Sequence, residues 1–465
     1  MTSSWQRRPV HWLGAEGREQ SPGLDDYDDR HHTRGHTHGR RRDHRIGRRQ
    51  ARAERLAADR CDGPIGGTSV ETTPGEIRRV ENREVHISWA VARRRPLKLE
   101  VAPGPEVLGG VSLSLSGPFR LQGEQALNGL RLWVDYVTEA GGLPLGPAGS
   151  RRALRLLILD DRSRTSLAKE NVLRLLTQDH VDLLIGPYSS GLTLAIAPLT
   201  EAHGKILWNH GGASDAIFQG SWRYLASVPS PASDYLKALP LLVRSQDPSI
   251  ARMSVAYAKT GSFAACVARG VADGAKAAGF DMIRLIPFDS PIRDVGAVLR
   301  EALAAEPDLL VGAGSFQDDV GIVRRLDLAS GVKTLAFVGA GLEAFYGELG
   351  ALAEGVIGPS QWEPAAHDGP LTGPNSEWFC SEFHTRFHQR PEYPAAQAFA
   401  IGIVVGECLR RAGRLEDEPL LRVAHALETA TLYRGFRLDR LTARQIGHRV
   451  LLVQWRGGRK VVISR

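Results

Sequence analysis

Three serines stand where the chain turns from an apolar run into a loop, and these are the residues best placed to hold a ligand. Residues 181–185 form a continuous apolar run, the pattern of a strand buried on both faces. Gly186 and Pro187 stop it, and Ser189, Ser190 and Gly191 open a helix whose apolar positions include Leu194, Ile196 and Leu199. A second run, residues 206–208, breaks into His210-Gly211-Gly212-Ala213-Ser214-Asp215. Two parallel strands would then end side by side, each followed by small hydroxyl residues and glycine. Free backbone N–H groups in the first turn of a helix, with serine hydroxyls beside them, suit an anionic group such as a carboxylate. In a doubly wound sheet such ligands sit at the carboxyl ends of the strands. Helix capping explains Ser189 and Ser214 equally well, and taken alone it is sufficient.

Other spacings offer chemistry that their context does not support. Gly339-Ala340-Gly341-Leu342-Glu343-Ala344 fits G-x-G-x-x-A after an expected strand, with Glu363 about twenty residues on, so an NAD-dependent dehydrogenase is one reading. Such a fingerprint usually opens a dinucleotide domain, whereas this one closes a series, and the helix after it is short. Asp160-Asp161 has the form of a carboxylate pair or metal site, but strand-end aspartates commonly cap the next helix. Asp318-Asp319 falls at a helix start, where the macrodipole favours negative charge. His31, His32, His36 and His38 could bind a metal ion, although a solvated tail explains them as well. The chain has no phosphate-loop, nucleophile-elbow or H-E-x-x-H motif. No catalytic residue, cofactor or resident metal is therefore expected.

The 465 residues suffice for two or three domains, and 42% hydrophobic with 24% charged residues is ordinary for a globular chain. The net charge of +7 is concentrated at one end. Residues 1–100 hold 21 of the 59 basic and 15 of the 52 acidic residues, leaving 38 against 37 in the remainder. The near-neutral body argues against a nucleic-acid partner there. Cys61, Cys266, Cys380 and Cys408 are widely spaced and demand neither disulfide nor zinc. No apolar segment reaches the length of a membrane span, and no signal-peptide core follows the first charges.

The elements that would position the serines follow from periodicity. Residues 1–104, acidic at 25–29 and then rich in Arg and His, read as a disordered tail, or as residues preceding the natural start of the domain. A strand at 111–115, a helix after Gly123, a strand at 154–159 and a helix carrying Leu167 to Leu176 lead into the serine segment. After Pro229-Ser230-Pro231 a second series follows: helix 233–244, strand 253–257, helix 263–278, strand 283–287, helix 292–305, strand 309–311, helix 317–328 and strands 334–338 and 355–358. Helices at 376–388, 395–411 and 418–427 come next, then a strand at 436–438 and a hairpin of 448–455 with 460–464 turning at Gly457-Gly458. The alternation predicts an α/β protein with two doubly wound parallel-sheet lobes.

Several short stretches carry a family resemblance in order along the chain. Ser116-Gly117-Pro118, Gly123-Glu124-Gln125, Gly141-Gly142, Asp160-Asp161, Ile185-Gly186-Pro187-Tyr188-Ser189-Ser190 and Gly212-Ala213-Ser214 resemble the first lobe of type I periplasmic solute-binding proteins. The ending, Tyr433-Arg434-Gly435-Phe436, Gln445-Ile446-Gly447-His448 and Val453-Gln454-Trp455, agrees. The nearest branch is that of the leucine/isoleucine/valine- and amide/urea-binding proteins of ABC importers, over about residues 107–465. The resemblance implies three crossovers, with 105–231 plus 363–434 as one lobe and 232–362 plus 435–465 as the other. It implies a binding protein without catalysis, extracytoplasmic, closing on a small ligand and meeting ABC permease subunits. A cytoplasmic ligand-sensing regulator on the same fold, with a regulatory partner, is the alternative.

By the same resemblance, Ser190, Ser214 and the backbone of Ala213, with Ser189 beside them, stand where relatives hold a carboxylate or amide. Ser189 also replaces a cysteine of the disulfide found in some relatives. Gln122 stands where relatives often have an aromatic ring, Phe263 where the second lobe usually offers a tyrosine, and Ser315 or Phe316 at a further aromatic position. The family's acidic residue for an α-amino group falls near Gly341, and Glu343 is two residues away. A buried ammonium without a carboxylate partner is costly, so a neutral amide or an amine-free carboxylate fits as well as an amino acid.

Overall fold

The computed structural model of the chain describes residues 106–464, apart from 147–148, 221, 327–330 and 367–368. The histidine cluster, the arginine run and Cys61 lie outside the described residues. The first series comprises β1 (Val107–Leu113), α1 (Arg120–Glu139), the hairpin β2 (Leu143–Leu145) and β3 (Ser150–Arg152), β4 (Leu154–Asp160) and α2 (Thr165–Thr177). It continues through β5 (Leu183–Ile185), α3 (Ser190–Ala202), β6 (Leu207–Asn209), α4 (Asp215–Gln219) and β7 (Leu225–Ser227). The second comprises α5 (Leu239–Gln246), β8 (Arg252–Ala258), α6 (Phe263–Ala277), β9 (Met282–Phe288), α7 (Val295–Leu303) and β10 (Leu309–Ala313). It ends with α8 (Phe316–Arg325), β11 (Thr334–Phe337), α9 (Glu343–Leu349) and β12 (Ile357–Ser360). Then come α10 (Ser376–Phe387), α11 (Tyr393–Ala412), α12 (Asp417–Ala426), β13 (Thr429–Thr431), β14 (Arg434–Phe436), β15 (Leu451–Arg456) and β16 (Arg459–Val462).

The two sheets repeat one topology. The first is ordered β4-β1-β5-β6-β7, and the parallel part of the second β9-β8-β10-β11-β12, extended by the antiparallel pair β15 and β16 on β12. In each, the opening strand lies between the second and third strands of its parallel sheet. The direction in which successive strands are added therefore reverses between β1 and β5, and again between β8 and β10, all of these pairs being parallel. These switch points leave a crevice at the carboxyl ends of the strands. That crevice receives the start of α1 and the loop before α3 in one lobe, and the starts of α6 and α8 in the other.

Helices α10–α12 return to the first sheet: Phe379, Phe383 and Phe399 share a core with Val111, Leu130 and Trp133. Close approach of α1 to α11 depends on glycine at both contacts. A Cβ on Gly129 would stand 2.2 Å from the Ala395 carbonyl oxygen, and one on Gly402 would stand 2.2 Å from the Trp133 ring.

The helix expected at 233–244 is broken. A single 3-10 turn, Ala232–Asp234, precedes α5, which starts at Leu239 with Pro240 in its first turn. Proline has no N–H to continue a helix from the preceding turn but suits a helix start. The β2–β3 hairpin, β7 and β13 were not expected from the sequence. Their three-residue strands are too short to show a period.

The crossings between lobes are bound to one another by buried side chains. On the first, Ser230 donates its N–H to Gln361 Oε1 at 2.9 Å, and its carbonyl accepts Gln361 Nε2 at 3.1 Å. Ser230 Oγ lies 2.7 Å from His448 Nδ1, and His448 Nε2 lies 2.8 Å from the Gln361 carbonyl. A carbonyl only accepts, so Nε2 carries the proton and Nδ1 accepts from the serine. Burial pushes the His448 pKa down to about 3, which keeps this neutral tautomer at physiological pH. Tyr433 stacks on His448 at 4.4 Å and donates to Gln361 Oε1 at 2.6 Å. Phe436 and Leu438 still pack in the first core.

Gly129→Ala forces α1 away from the α11 backbone. Overpacking of this kind costs about 1–3 kcal/mol. A lower urea midpoint at unchanged slope is expected; an unchanged midpoint would contradict the packing described.

Candidate functional site

The strand-end serines form one cluster. Ser190 Oγ accepts the N–H of Ala213 at 3.1 Å and of Ser214 at 2.9 Å, joining the loops after β5 and β6. The two amides that a carboxylate would use are thus satisfied within the protein. Ser214 Oγ donates to Ser262 Oγ, 2.7 Å away at the start of α6, so the lobes touch here. Ser189 and Ser214 also cap their helices, accepting from Leu192 N and Ala216 N at 3.3 Å each. Capping and cleft contact are therefore compatible, not exclusive. Ser189 has φ 97° and ψ 145°, a backbone region that favours glycine and costs of order 1–3 kcal/mol in other residues.

Asn209 braces this cluster, and sequence reasoning missed it. Its Nδ2 donates to the Gly212 carbonyl and to Ser227 Oγ, both at 2.7 Å, while Oδ1 accepts the N–H of Gly211 at 3.2 Å and Gly212 at 2.8 Å. A buried Asn at a strand end is the only signal that could have found it. Next to it, His210 is fully buried beside the Gly186 carbonyl, without hydrogen-bond geometry at either ring nitrogen among the described residues. Burial lowers its pKa to about 4, so it is neutral.

Gln122 belongs to a second group. It lines a cavity of about 140 Å³ with Leu121, Gln125, Leu342, Ala344 and Glu392. Its Oε1 is buried and has no partner among the described residues. Glu392, just before α11, accepts the N–H of Glu343 on Oε2 at 2.9 Å, a second contact between lobes. Tyr188 and Tyr393 connect the two groups: their hydroxyls lie 2.8 Å apart, and Tyr188 meets Phe119 edge-on at 6.2 Å. Burial raises the Tyr188 pKa to about 12, so the phenol stays protonated.

The remaining sequence-derived residues are placed differently from one another. Phe263 meets Tyr235 edge-on at 5.2 Å, and Tyr235 in turn accepts Gln361 Nε2 at 2.8 Å. Half-buried Phe316 starts α8 and is close to Gly339. Ser315 is the α8 cap and makes a capping box with Asp318. Glu343 directs its carboxylate to Lys460 at 3.6 Å, and only its backbone meets Glu392. Lys460 is 6% exposed and also binds Glu363 at 2.9 Å. Burial alone would lower the Lys460 pKa, but Glu363, Glu392 and Glu343 outweigh it and hold the ammonium charged.

Of the two carboxylate pairs, Asp318-Asp319 falls in the first turn of α8 as expected, whereas Asp160-Asp161 departs from expectation. Asp160 and Asp161 do not cap α2; Asp160 accepts Leu115 N at 3.0 Å and Ser116 Oγ at 2.8 Å, and Asp161 accepts Ser114 Oγ at 2.6 Å. They fix the turn between β1 and α1, whose first turn carries Gln122. Asp319 is fully buried, with its oxygens accepting Gly314 N at 3.0 Å and Gly339 N at 2.8 Å. The glycines at 339–344 serve packing. The Gly339 N–H is taken by Asp319, and a Cβ on Gly341 would stand 2.0 Å from the Pro359 carbonyl oxygen. Among the described residues no group of His, Cys, Asp and Glu could hold a metal, and no helix is long and apolar enough to cross a membrane.

A model of the family described as Periplasmic binding protein matches residues 110–460. The chain is 26% identical over 244 residues to Leu/Ile/Val-binding protein homolog 8 of Brucella abortus (strain 2308), covering 51% of this chain and 58% of that protein. The chain thus spans little more than half the length of the curated relatives it matches. Among solved structures, LivJ, a branched-chain amino acid transporter substrate binding protein of Streptococcus pneumoniae in complex with isoleucine, superposes with TM-score 0.66 at 18% identity. The match covers 78% of this chain and 100% of LivJ. An ABC transporter solute binding protein of R. palustris in complex with benzoate gives 0.65 at 18%, covering 77% and 96%. The likeness to these structures is one of fold.

Burial pushes the Asp319 pKa up to about 7, against the pull of its two N–H partners. The folded state therefore binds this proton more tightly than the unfolded state, and the associated stability is lost as pH rises from about 4 to about 7. His210 and His448, held neutral by burial, contribute the opposite slope, so the test is a difference: unfolding free energy against pH across this window has a more positive slope in Asp319→Asn than in the unsubstituted chain, and an equal slope in the variant would contradict the assignment.

Proposed function

The chain belongs to the periplasmic binding protein family, and we propose that it captures a small polar solute between its lobes for delivery to an ABC permease. One observation carries this reading. The two lobes meet through Ser214 on Ser262 and Glu392 on the Glu343 N–H, while their crossings are bound by Ser230, Gln361 and His448. A protein built to open and close needs a firm pivot and weak contacts at the mouth. Here the pivot is buried, and the contacts between the facing surfaces include two hydrogen bonds, Ser214 to Ser262, worth about 0.5–1.5 kcal/mol net, and the Glu343 N–H to the Glu392 carboxylate, worth about 1.5–3 kcal/mol. A ligand of modest affinity then suffices to shift the open–closed equilibrium.

The Ser190 hydroxyl, with both neighbouring amides already donated to it, offers its proton to an acceptor oxygen of the ligand. We assign Ser189, Ser190, Ala213 and Ser214 to that end of the site. Phe263 and Phe316 form its second-lobe wall, and Gln122 lies at the opposite end. The family points to an extracytoplasmic setting and to permease subunits as partners.

Thermal unfolding of the chain against amino acids, amides, urea, small carboxylates and NAD tests this directly. A midpoint rise with a small polar solute, growing with its concentration, is expected. A rise with NAD alone would overturn the reading in favour of a dehydrogenase.

A further inference from the structure

The cavity between α1 and the residues before α9 is not chemically neutral. Its polar lining includes two carboxylates, Glu124 and Glu392, and no Lys, Arg or His among the described residues. Glu124 is already paired with Arg120 at 2.7 Å. Gln125 is also committed, donating to the Arg390 carbonyl and accepting the Glu392 N–H. Beyond the exposed amide of Gln389, what remains is the buried, unpartnered Oε1 of Gln122 and the Glu392 carboxylate, of which Oε2 accepts the Glu343 N–H. Both are acceptors.

We propose that this cavity is the specificity pocket of the cleft, in which Gln122 Oε1 and the Glu392 carboxylate receive a donor-bearing nitrogen group of the ligand: an ammonium, an amidinium or a carboxamide N–H. The proposal deepens the solute-binding reading and rests on it. An anionic group there would face an acceptor amide oxygen and a carboxylate with no counter-charge in the lining, and would lose its hydration without compensation. A cationic or amide group supplies the missing donor to Gln122 and a partner to Glu392. Glu392 is well placed for this role. It stands on the first lobe but holds a backbone N–H of the second, so a donor bound to it is enclosed only when the lobes meet. Its charge is shared with Lys460, which Glu363 and Glu343 also surround, so three carboxylates face one ammonium and the group retains an acidic excess.

Titration calorimetry of the full chain with isobutyramidine, isobutyramide and isobutyrate separates the ligand classes on one carbon skeleton. The amidine and the amide are expected to bind at least tenfold more tightly than the carboxylate. Glu392→Gln, which keeps the hydrogen bond to Glu343 but removes the charge, is expected to weaken the amidine about tenfold or more and the amide less. Gln122→Ala is expected to weaken both, and circular dichroism checks that each variant stays folded. Isobutyrate binding as tightly as the amidine overturns the proposal, as does an amidine affinity unchanged in both variants. If none of the three binds while another solute, such as benzoate, does, the pocket assignment fails and the solute-binding reading stands. Absence of binding by solutes of every class removes both.

Discussion

The side-chain amide of Gln361 is the point on which the two lobes depend. Its nitrogen donates to the Ser230 carbonyl and to Tyr235, and its oxygen accepts from Ser230 N and Tyr433, so its principal hydrogen-bonding capacity is spent between crossings. The residue is 1% exposed. A buried polar group left without partners costs about 1–3 kcal/mol, and loss of this amide would orphan several at once. Neutral His448 completes the loop by bonding Ser230 on one side and the Gln361 carbonyl on the other. The network fixes where the lobes pivot while leaving their facing surfaces held by few contacts.

That division of labour organises the cleft. At the serine end the protein has satisfied its own amides, with Ser190 accepting two N–H groups and Asn209 fixing the loop beneath. At the glutamine end it has not, and an acceptor oxygen is buried without a partner. Buried polar groups are ordinarily bonded, and this exception beside a cavity is the observation on which the proposed donor site rests. The aspartates below each strand end serve positioning: Asp161 holds the β1 turn, and Asp319 ties the ends of β10 and β11.

Local pattern revealed the alternation of strands and helices, because β5, β10 and the long helices have apolar spacing strong enough to read directly. Strand order did not show, since nothing local to β1 says that β4 and β5 will flank it. The serine cluster was legible because its members lie within 26 residues of sequence and each sits at a strand end. Glu392 was not, being brought to Gln122 by the packing of α11 on α1, some 270 residues apart in sequence. Glu343 was expected to serve a ligand because of its position near Gly341, but Lys460, on a strand from the far end of the chain, draws its carboxylate away. The helix expected at 233–244 failed for a local reason, as Pro240 starts a helix where periodicity alone would continue one.

The central claim is that the lobes move about a fixed pivot in response to a ligand between them. The most direct measurement is the distance between spin labels at Glu170→Cys on α2 and Glu301→Cys on α7, both exposed positions, with Cys61 and Cys380 replaced by Ser. The account predicts a broad or two-population distribution without ligand that collapses to the shorter distance when a binding solute is added. A single distance unmoved by a solute that demonstrably binds would contradict it.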